Sequence, residues 1–278
     1  MNTVLETIDG GTRYLEKRGI EDARRNMQML VANQLGCTRM DLYLRFDQPV
    51  DEKDLAPLRG VLKKRGEGVP LQHLLGTVWF HNREFKTDAR ALIPRPETEE
   101  LAELILSLTP AETQSVLDMG CGSGVLGLTL AGERPDWRLT LADISQDALA
   151  LTAENADALE ITNFTAVNSD LFAAVAGSFD GIAANLPYVP EADRASLSRE
   201  VTYDPDLALF SGQDGLDLIR RFIPDAFSRL NPGGWIALEI GHDQASQVHE
   251  LLANSGFSRI EVRTDLSGIR RFPIAFRD

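Results

Sequence analysis

Residues 115–127 read Ser-Val-Leu-Asp-Met-Gly-Cys-Gly-Ser-Gly-Val-Leu-Gly. Val116 and Leu117 open an apolar run of the length of a buried strand. Asp118 follows, then Gly120, Gly122 and Gly124 alternate, and a helix-compatible stretch begins at Val125. Alternating glycines between a strand and a helix let the backbone turn sharply and pass close to a ligand. The helix start beyond offers unpaired N–H groups and a partial positive charge. A strand–turn–helix unit that holds something flat and polar is expected here.

The pattern repeats downstream. Candidate strands lie at 115–119, 138–142, 163–167, 179–184, 234–240, 258–264 and 271–277, and helical patterns at about 124–132, 146–157, 215–228 and 243–254. In the 215–228 stretch, Ile219, Phe222, Ile223, Ala226, Phe227 and then Leu230 fall on one side. Alternating strands and helices imply a mostly parallel sheet with helices on both faces. No helical pattern separates the last two strands, and Asp265-Leu-Ser-Gly-Ile is short enough to make them an antiparallel pair. The expected fold is therefore α/β, with a Rossmann-like seven-stranded sheet whose last strand runs antiparallel.

Upstream the character differs. Residues 1–75 read as a small helical domain, with one stripe at Val4, Leu5, Ile8 and Leu15 and another at Met27, Leu30, Val31 and Leu35. Gly36 suits a C-cap. Leu42 to Leu44 and Leu55 to Leu62 suggest two shorter helices. Residues 76–92 read as a β-hairpin linker, with Thr77–Phe80 and Arg83–Lys86 flanking His81-Asn82. The α/β domain spans 93–278 and opens with Ile93-Pro-Arg-Pro-Glu-Thr-Glu-Glu. There Pro96 suits the first helical position, Glu97, Glu99 and Glu100 complement the helix dipole, and Leu101, Leu104, Ile105 and Leu108 form an apolar face. The Arg95 side chain has no assigned role at this level.

The chain of 278 residues carries a formal charge of −14, which argues against a broad nucleic-acid footprint, since that needs a basic surface. Cys37 and Cys121 are far apart and read as free thiols of a reducing compartment. No basic-plus-apolar leader opens the chain and no apolar run reaches membrane-spanning length. A soluble, cytoplasmic monomer is expected, without membrane, direct nucleic-acid or metal partners.

The glycines alone leave the ligand open. Gly122-x-Gly124-x-x-Gly127 also fits the dinucleotide fingerprint, and Asp143 at the next strand end suits the ribose hydroxyls of NAD and of S-adenosylmethionine alike, or an N-cap. Two features separate the cofactors. A carboxylate at Asp118 is awkward beside a pyrophosphate but suits the ammonium of a sulfonium amino acid. Asn185-Leu-Pro-Tyr ends the fourth strand, and in open α/β sheets that end faces the ligand crevice.

Together these residues resemble the class I S-adenosylmethionine-dependent methyltransferases, and more closely the release-factor glutamine methyltransferases of the HemK/PrmC type. The resemblance covers nearly the whole chain. It rests on Pro70-Leu-Gln-His-Leu-Leu-Gly, Ile93-Pro-Arg-Pro-Glu-Thr-Glu, the glycine loop, Asp143-Ile-Ser, Ser169-Asp-Leu-Phe, Asn185-Leu-Pro-Tyr and Leu207-Ala-Leu-Phe-Ser-Gly-Gln-Asp-Gly-Leu. It implies cofactor contacts at Gly120, Cys121, Gly122, Ser123, Gly124, Asp143, Asp170, Leu171 and Asn185. It also implies a substrate and catalytic loop at Asn185, Leu186, Pro187 and Tyr188, with Asn185 Oδ1 and the Leu186 carbonyl accepting the N–H groups of an amide and Tyr188 walling the pocket. The implied substrate is the glutamine of the Gly-Gly-Gln loop of peptide chain release factors, docked with help from the helical domain. Leu186 stands where the family usually has proline, so one fixed φ is lost.

Four other readings compete. Adenine-N6 methylation of nucleic acid uses a similar loop but fits poorly with the acidic charge. Glutamine methylation of a ribosomal protein is a close rival, which Arg95-Pro-Glu-Thr-Glu disfavours. A nucleotide-binding adapter, or a dehydrogenase, leaves Asn185 to Tyr188 without a task.

Overall fold

The computed structural model describes residues 2–109, 112 and 114–278. The chain divides into two units. One runs through Thr77 and includes Ser198–Tyr203; the other comprises Val78–Leu197 and Asp204–Asp278.

The first unit is helical, with α1 (Val4–Glu16), α2 (Ala23–Gln34), a 3-10 turn at Asp41–Leu44, α3 (Glu52–Gly66) and α4 (Leu71–Leu75). Thr3 opens α1 in a capping box: its hydroxyl accepts from the Glu6 N–H, and the Glu6 carboxylate accepts from the Thr3 N–H. Ile8, Leu15, Met27, Leu30 and Val31 are buried together, as their spacing predicts, whereas Leu5 is only half-buried. At Gly11 an added Cβ would lie 2.2 Å from Met27 Sδ, so glycine is what lets the α1 backbone meet that side chain. The helix expected over 55–62 is longer. Glu52 and Asp54 in its first turn and Lys63, Lys64 and Arg65 in its last match the dipole, a signal that apolar spacing does not carry. Arg65 is buried. It donates to Asn26 Oδ1 and the Val69 carbonyl and pairs with Glu200, which ties Ser198–Tyr203 into this unit.

The expected hairpin is present as β1 (Thr77–Phe80) and β2 (Arg83–Lys86). His81 and Asn82 both adopt positive φ, 46° and 59°, the geometry of a two-residue hairpin turn. Next comes α5 (Pro96–Leu108), begun by Pro96. Leu101 and Ile105 are buried, but Leu108, in its last turn, is 44% exposed and leaves the predicted face. The sheet and its helices follow as β3 (Ser115–Met119), α6 (Val125–Glu133), β4 (Arg138–Asp143), α7 (Gln146–Ala158), β5 (Phe164–Asn168), β6 (Phe179–Ala184), α8 (Asp206–Leu209), α9 (Asp217–Arg229), β7 (Leu230–Leu238), α10 (Ala245–Asn254), β8 (Ser258–Thr264) and β9 (Arg270–Phe276).

The seven strands lie in the order β5-β4-β3-β6-β7-β9-β8. All neighbours are parallel except β9, which runs antiparallel to both β7 and β8. The β7 strand starts at Leu230 rather than 234, through a register shift opposite Phe179 and Gly181. After β3 the chain moves outward to β4 and β5, then returns to place β6 on the other side of β3. That reversal opens a crevice at the carboxyl ends of β3 and β6. Cys37 and Cys121 are both free. Among the described residues no helix is long and apolar enough to cross a membrane.

Candidate active site

A cavity of about 450 Å³ lies at that crevice, within the size range of small-molecule sites. Its lining includes Asp118 to Ser123, Asp143, Asp170, Leu171, Asn185, Leu186 and Pro187, so one concavity gathers nearly every residue singled out from the sequence.

The floor is backbone. Gly120, Gly122 and Gly124 hold φ of 72°, 57° and 83°, values that suit glycine. An added Cβ on Gly122 would find only Ala91, at 3.8 Å, so the crest of the loop is open. The loop is pinned from both sides. The Gly120 and Cys121 N–H groups donate to the Ala142 carbonyl of β4 at 2.8 and 3.1 Å. Thr152 donates to the Gly122 carbonyl at 2.8 Å, and Asn155 to the Ser123 carbonyl at 2.9 Å. Cys121 turns its thiol towards Thr152, and burial pushes that thiol well above its ordinary range. Its contribution to the floor is therefore main chain. Thr152 and Asn155 carry no motif, and only the packing of α7 against the loop reveals them.

Two carboxylates face this floor. Asp143 Oδ2 accepts from the Gly122 N–H and Oδ1 from the Ser145 N–H, each at 2.9 Å. The N-cap of α7 is Ser145, not Asp143. Asp118 Oδ2 accepts from the Gly127 N–H at 2.9 Å, so one of the donors expected to be free at the helix start is taken by the protein itself. A Cβ on Gly127 would lie 2.8 Å from Leu141 and 2.9 Å from that oxygen, so this glycine serves close helix–strand packing. Burial pushes Asp118 up to about 7, with the Asp143 charge adding to the rise and the Gly127 N–H opposing it. Burial also raises Asp143. Among the described residues neither carboxylate has a cationic partner.

Asp170 and Leu171 complete this side. Arg221 donates to both Asp170 oxygens at 3.0 Å. Leu171 holds a positive φ of 46°, a strained conformation for leucine, and the Ser169 hydroxyl donates to its carbonyl at 2.6 Å.

The opposite side is made of side chains. Asn185 directly follows β6, and Glu239 directly follows β7, its neighbour. Asn185 Nδ2 donates to Thr98 Oγ1 at 3.0 Å, and Thr98 Oγ1 donates to Glu239 Oε2 at 2.7 Å. Tyr188 sends its hydroxyl to Glu239 Oε1 at 3.4 Å, so the walls are Leu186 and Pro187. Glu239 is 2% exposed, and burial pushes it up to about 7 against the pull of the Thr98 hydroxyl. Burial also raises Tyr188. Leu186 is buried, and a Cβ on Gly120 would come within 2.9 Å of its Cδ2. Packing against the glycine loop thus restrains the position that lacks a proline ring. Arg95 pairs with Asp204 at 2.6 Å, and Asp204 also accepts from the Ile93 N–H at 3.0 Å. Thr98, Glu239 and Asp204 were not singled out in the sequence. Glu239 carries the same signal as Asp143, an acid at the carboxyl end of a strand.

A release factor glutamine methyltransferase of Deinococcus radiodurans is 39% identical to the chain, over 98% of each protein. One of Geobacter sulfurreducens is 36% identical over 97% of this chain and 95% of its own. The chain belongs to the release factor glutamine methyltransferase family. In agreement, the PrmC N-terminal domain family matches residues 6–76 and the Methyltransferase small domain family matches residues 98–202. The fold alone is shared with a ribosomal protein L11 methylase of Lactobacillus delbrueckii subsp. bulgaricus (TM-score 0.52, 22% identity, 66% of this chain and 81% of that one). The same holds for a Thermus thermophilus 16S rRNA N2 G1207 methyltransferase solved with AdoMet and guanosine (TM-score 0.53, 20% identity, 73% of this chain and 50% of that one). In this release factor glutamine methyltransferase, Asn185 stands at the cavity with its amide nitrogen tied to Thr98, which is tied in turn to Glu239.

Proposed function

We propose that this chain transfers the methyl group of S-adenosylmethionine to the side-chain nitrogen of a glutamine, that of the Gly-Gly-Gln loop of peptide chain release factors, releasing S-adenosylhomocysteine. The observation that carries the reading is Asn185. It lines the glycine-loop cavity with its Nδ2 tied to Thr98, and no donor among the described residues reaches its Oδ1.

The cavity fits this cofactor. Asp118 and Asp143 have no cationic partner among the described residues and suit the ammonium and the ribose hydroxyls of such a ligand, and the loop crest at Gly122 is open. Gly120, Cys121, Gly122, Ser123 and Gly124 would hold it by main chain, with Asp170, Leu171 and Asn185 around it. When bound, the cofactor supplies an electrophilic methyl on a sulfonium.

The chain supplies orientation. An amide nitrogen is a poor nucleophile because its lone pair is delocalised into the carbonyl. Asn185 Oδ1 and the Leu186 carbonyl each accept one of its N–H groups, which fixes the nitrogen and leans electron density onto it. The apolar walls at Leu126, Leu186 and Pro187 exclude water, where dispersal of charge is favoured. Glu239 stands behind Thr98 and is not a base for the amide; the methyl leaves the sulfonium as the N–C bond forms, and the proton then passes from the methylated nitrogen to solvent as the product departs. The helical unit docks the release factor, and the enzyme works as a cytoplasmic monomer.

The test is transfer of labelled methyl from S-adenosylmethionine to a purified release factor, beside the same factor with its Gly-Gly-Gln glutamine replaced. Label on the unaltered factor alone is expected. No label, with cofactor binding intact, would overturn the substrate.

A further inference from the structure

We propose that Thr98 and Glu239 are positioning residues that set which end of the Asn185 amide faces the cavity. The inference rests on the methyl-transfer reading above and assigns to that site two residues that do not meet the substrate.

The argument is one of hydrogen-bond direction. An ionised carboxylate only accepts, and a hydroxyl has one proton to give. When ionised, Glu239 therefore obliges Thr98 to donate to it. With its proton spent, Thr98 Oγ1 can only accept from Asn185. The amide end that carries protons is thus the end that is tied, and Oδ1 is left for the cavity. Both contacts are at hydrogen-bond distance, 2.7 Å from hydroxyl to carboxylate and 3.0 Å from amide nitrogen to hydroxyl oxygen. Without the tie the amide is free to turn over. Half of its orientations then present an NH2 group to the substrate NH2, which repels it.

The geometry comes from three separate elements. Thr98 is the third residue of α5, and Asn185 and Glu239 each stand one residue past the ends of the neighbouring strands β6 and β7. The Glu239 N–H donates to the Ala184 carbonyl at 3.0 Å, which holds the two strand ends in step. Thr98 and Glu239 are 4% and 2% exposed, so no water competes for the tie.

The experiment compares Thr98→Val, which keeps the shape and removes the hydroxyl, with Thr98→Ser, which restores it, at pH 8.5, where Glu239 is ionised. Methyl transfer to a release factor and equilibrium binding of S-adenosylmethionine are measured in each. Thr98→Val is expected to lower kcat by 10- to 30-fold with cofactor affinity within twofold, and Thr98→Ser to return kcat to within threefold of the parent. In an Asn185→Ala background, Thr98→Val should change kcat by less than twofold, because a residue acting through Asn185 has nothing left to act on. The Asn185 side-chain NH2 signals, followed by 15N NMR without any substrate, should be protected from exchange in the parent and in Thr98→Ser, and lose that protection in Thr98→Val. Equal effects of Thr98→Val with and without Asn185 would overturn the proposal, as would unchanged kcat or unchanged protection in Thr98→Val. If the parent protein transfers no methyl to a release factor, the substrate reading fails, and the NH2 signals alone then decide whether the tie exists.

Discussion

The two halves of the cavity are held in place by different means. At the end of β3 every tie ends on main chain: three glycines sit at positive φ, two N–H groups donate to the Ala142 carbonyl, Thr152 and Asn155 donate to loop carbonyls, and the two carboxylates accept only backbone donors. At the ends of β6 and β7, side chain holds side chain, from Asn185 through Thr98 to Glu239. A main-chain cradle tolerates many side chains and grips a ligand wherever the backbone passes close. A side-chain chain has one arrangement, and each member is needed to aim the next. The first half suits binding and the second suits aiming, so substitutions in the two should fall on different quantities.

The largest effect should come from the aiming half. On the proposed mechanism Asn185→Ala removes the acceptor for the substrate amide, and turnover should fall on the order of 10²- to 10³-fold with cofactor affinity nearly unchanged. Single-turnover methyl transfer beside equilibrium binding checks this. A loss of affinity as large as the loss of turnover would break the division between the halves.

Arg95 lies on the rim, and its substitution should act on neither half first. Asp204, 0% exposed at its side chain, would lose the Arg95 guanidinium, while Arg95 itself is 33% exposed, which moderates the loss. Arg95→Ala should destabilise the protein by about 2 kcal/mol. A thermal melt should fall by about 5 °C. A melt unchanged by the substitution would assign Arg95 to the ligand rather than to the fold.

The binding half was the more legible in sequence, for a physical reason. A turn that needs positive φ at alternate residues spells itself locally as alternating glycines, so Gly120 to Gly124 can be read in place. Asp143 follows from the strand-end rule. The aiming half is joined across long separations: Thr98 lies 87 residues from Asn185 and 141 from Glu239. Nothing local marks Thr98, whose neighbours Pro96, Glu97 and Glu99 already read as a well-started helix. Most helix and strand positions followed from apolar spacing, but the ends of α3 and the start of β7 did not. The segment from Asn185 to Leu216 did not, because its 3-10 turns and the four-residue α8 are too short to show a period. Asp204 sits in that segment, which is why the partner of Arg95 could not be read.

In the binding half, Asp143→Asn keeps the size of the side chain but cannot accept at both oxygens, so the Gly122 or the Ser145 N–H loses its partner. Cofactor affinity should fall about tenfold to thirtyfold, with turnover at saturation within about threefold of the parent. Together with Asn185→Ala this makes a double dissociation, and titration calorimetry with saturation kinetics measures both arms.

The smallest effect tests the charge on the floor. Asp118 has an ordinary value of 3.8 and is pushed to about 7 in the folded protein, chiefly by burial. Between those values the native state holds a proton that the unfolded chain has released. Native stability contributed by this group therefore falls as pH rises from about 4 to about 7 and is level above. Glu239, raised from 4.5 to about 7, adds a slope of the same sign. Ligand binding should show the opposite trend. A cationic ligand near Asp118 favours the carboxylate over the acid, so binding expels the proton and affinity rises with pH. Between pH 6 and pH 8 S-adenosylmethionine should bind more tightly by a few-fold, and by no more than about tenfold, with a proton released on binding at the lower pH. In Asp118→Asn the rise and the proton release should both vanish, which buffers of different ionisation enthalpy detect in a calorimeter. A rise that survives in Asp118→Asn would move the titrating group to Asp143, the other carboxylate without a cation.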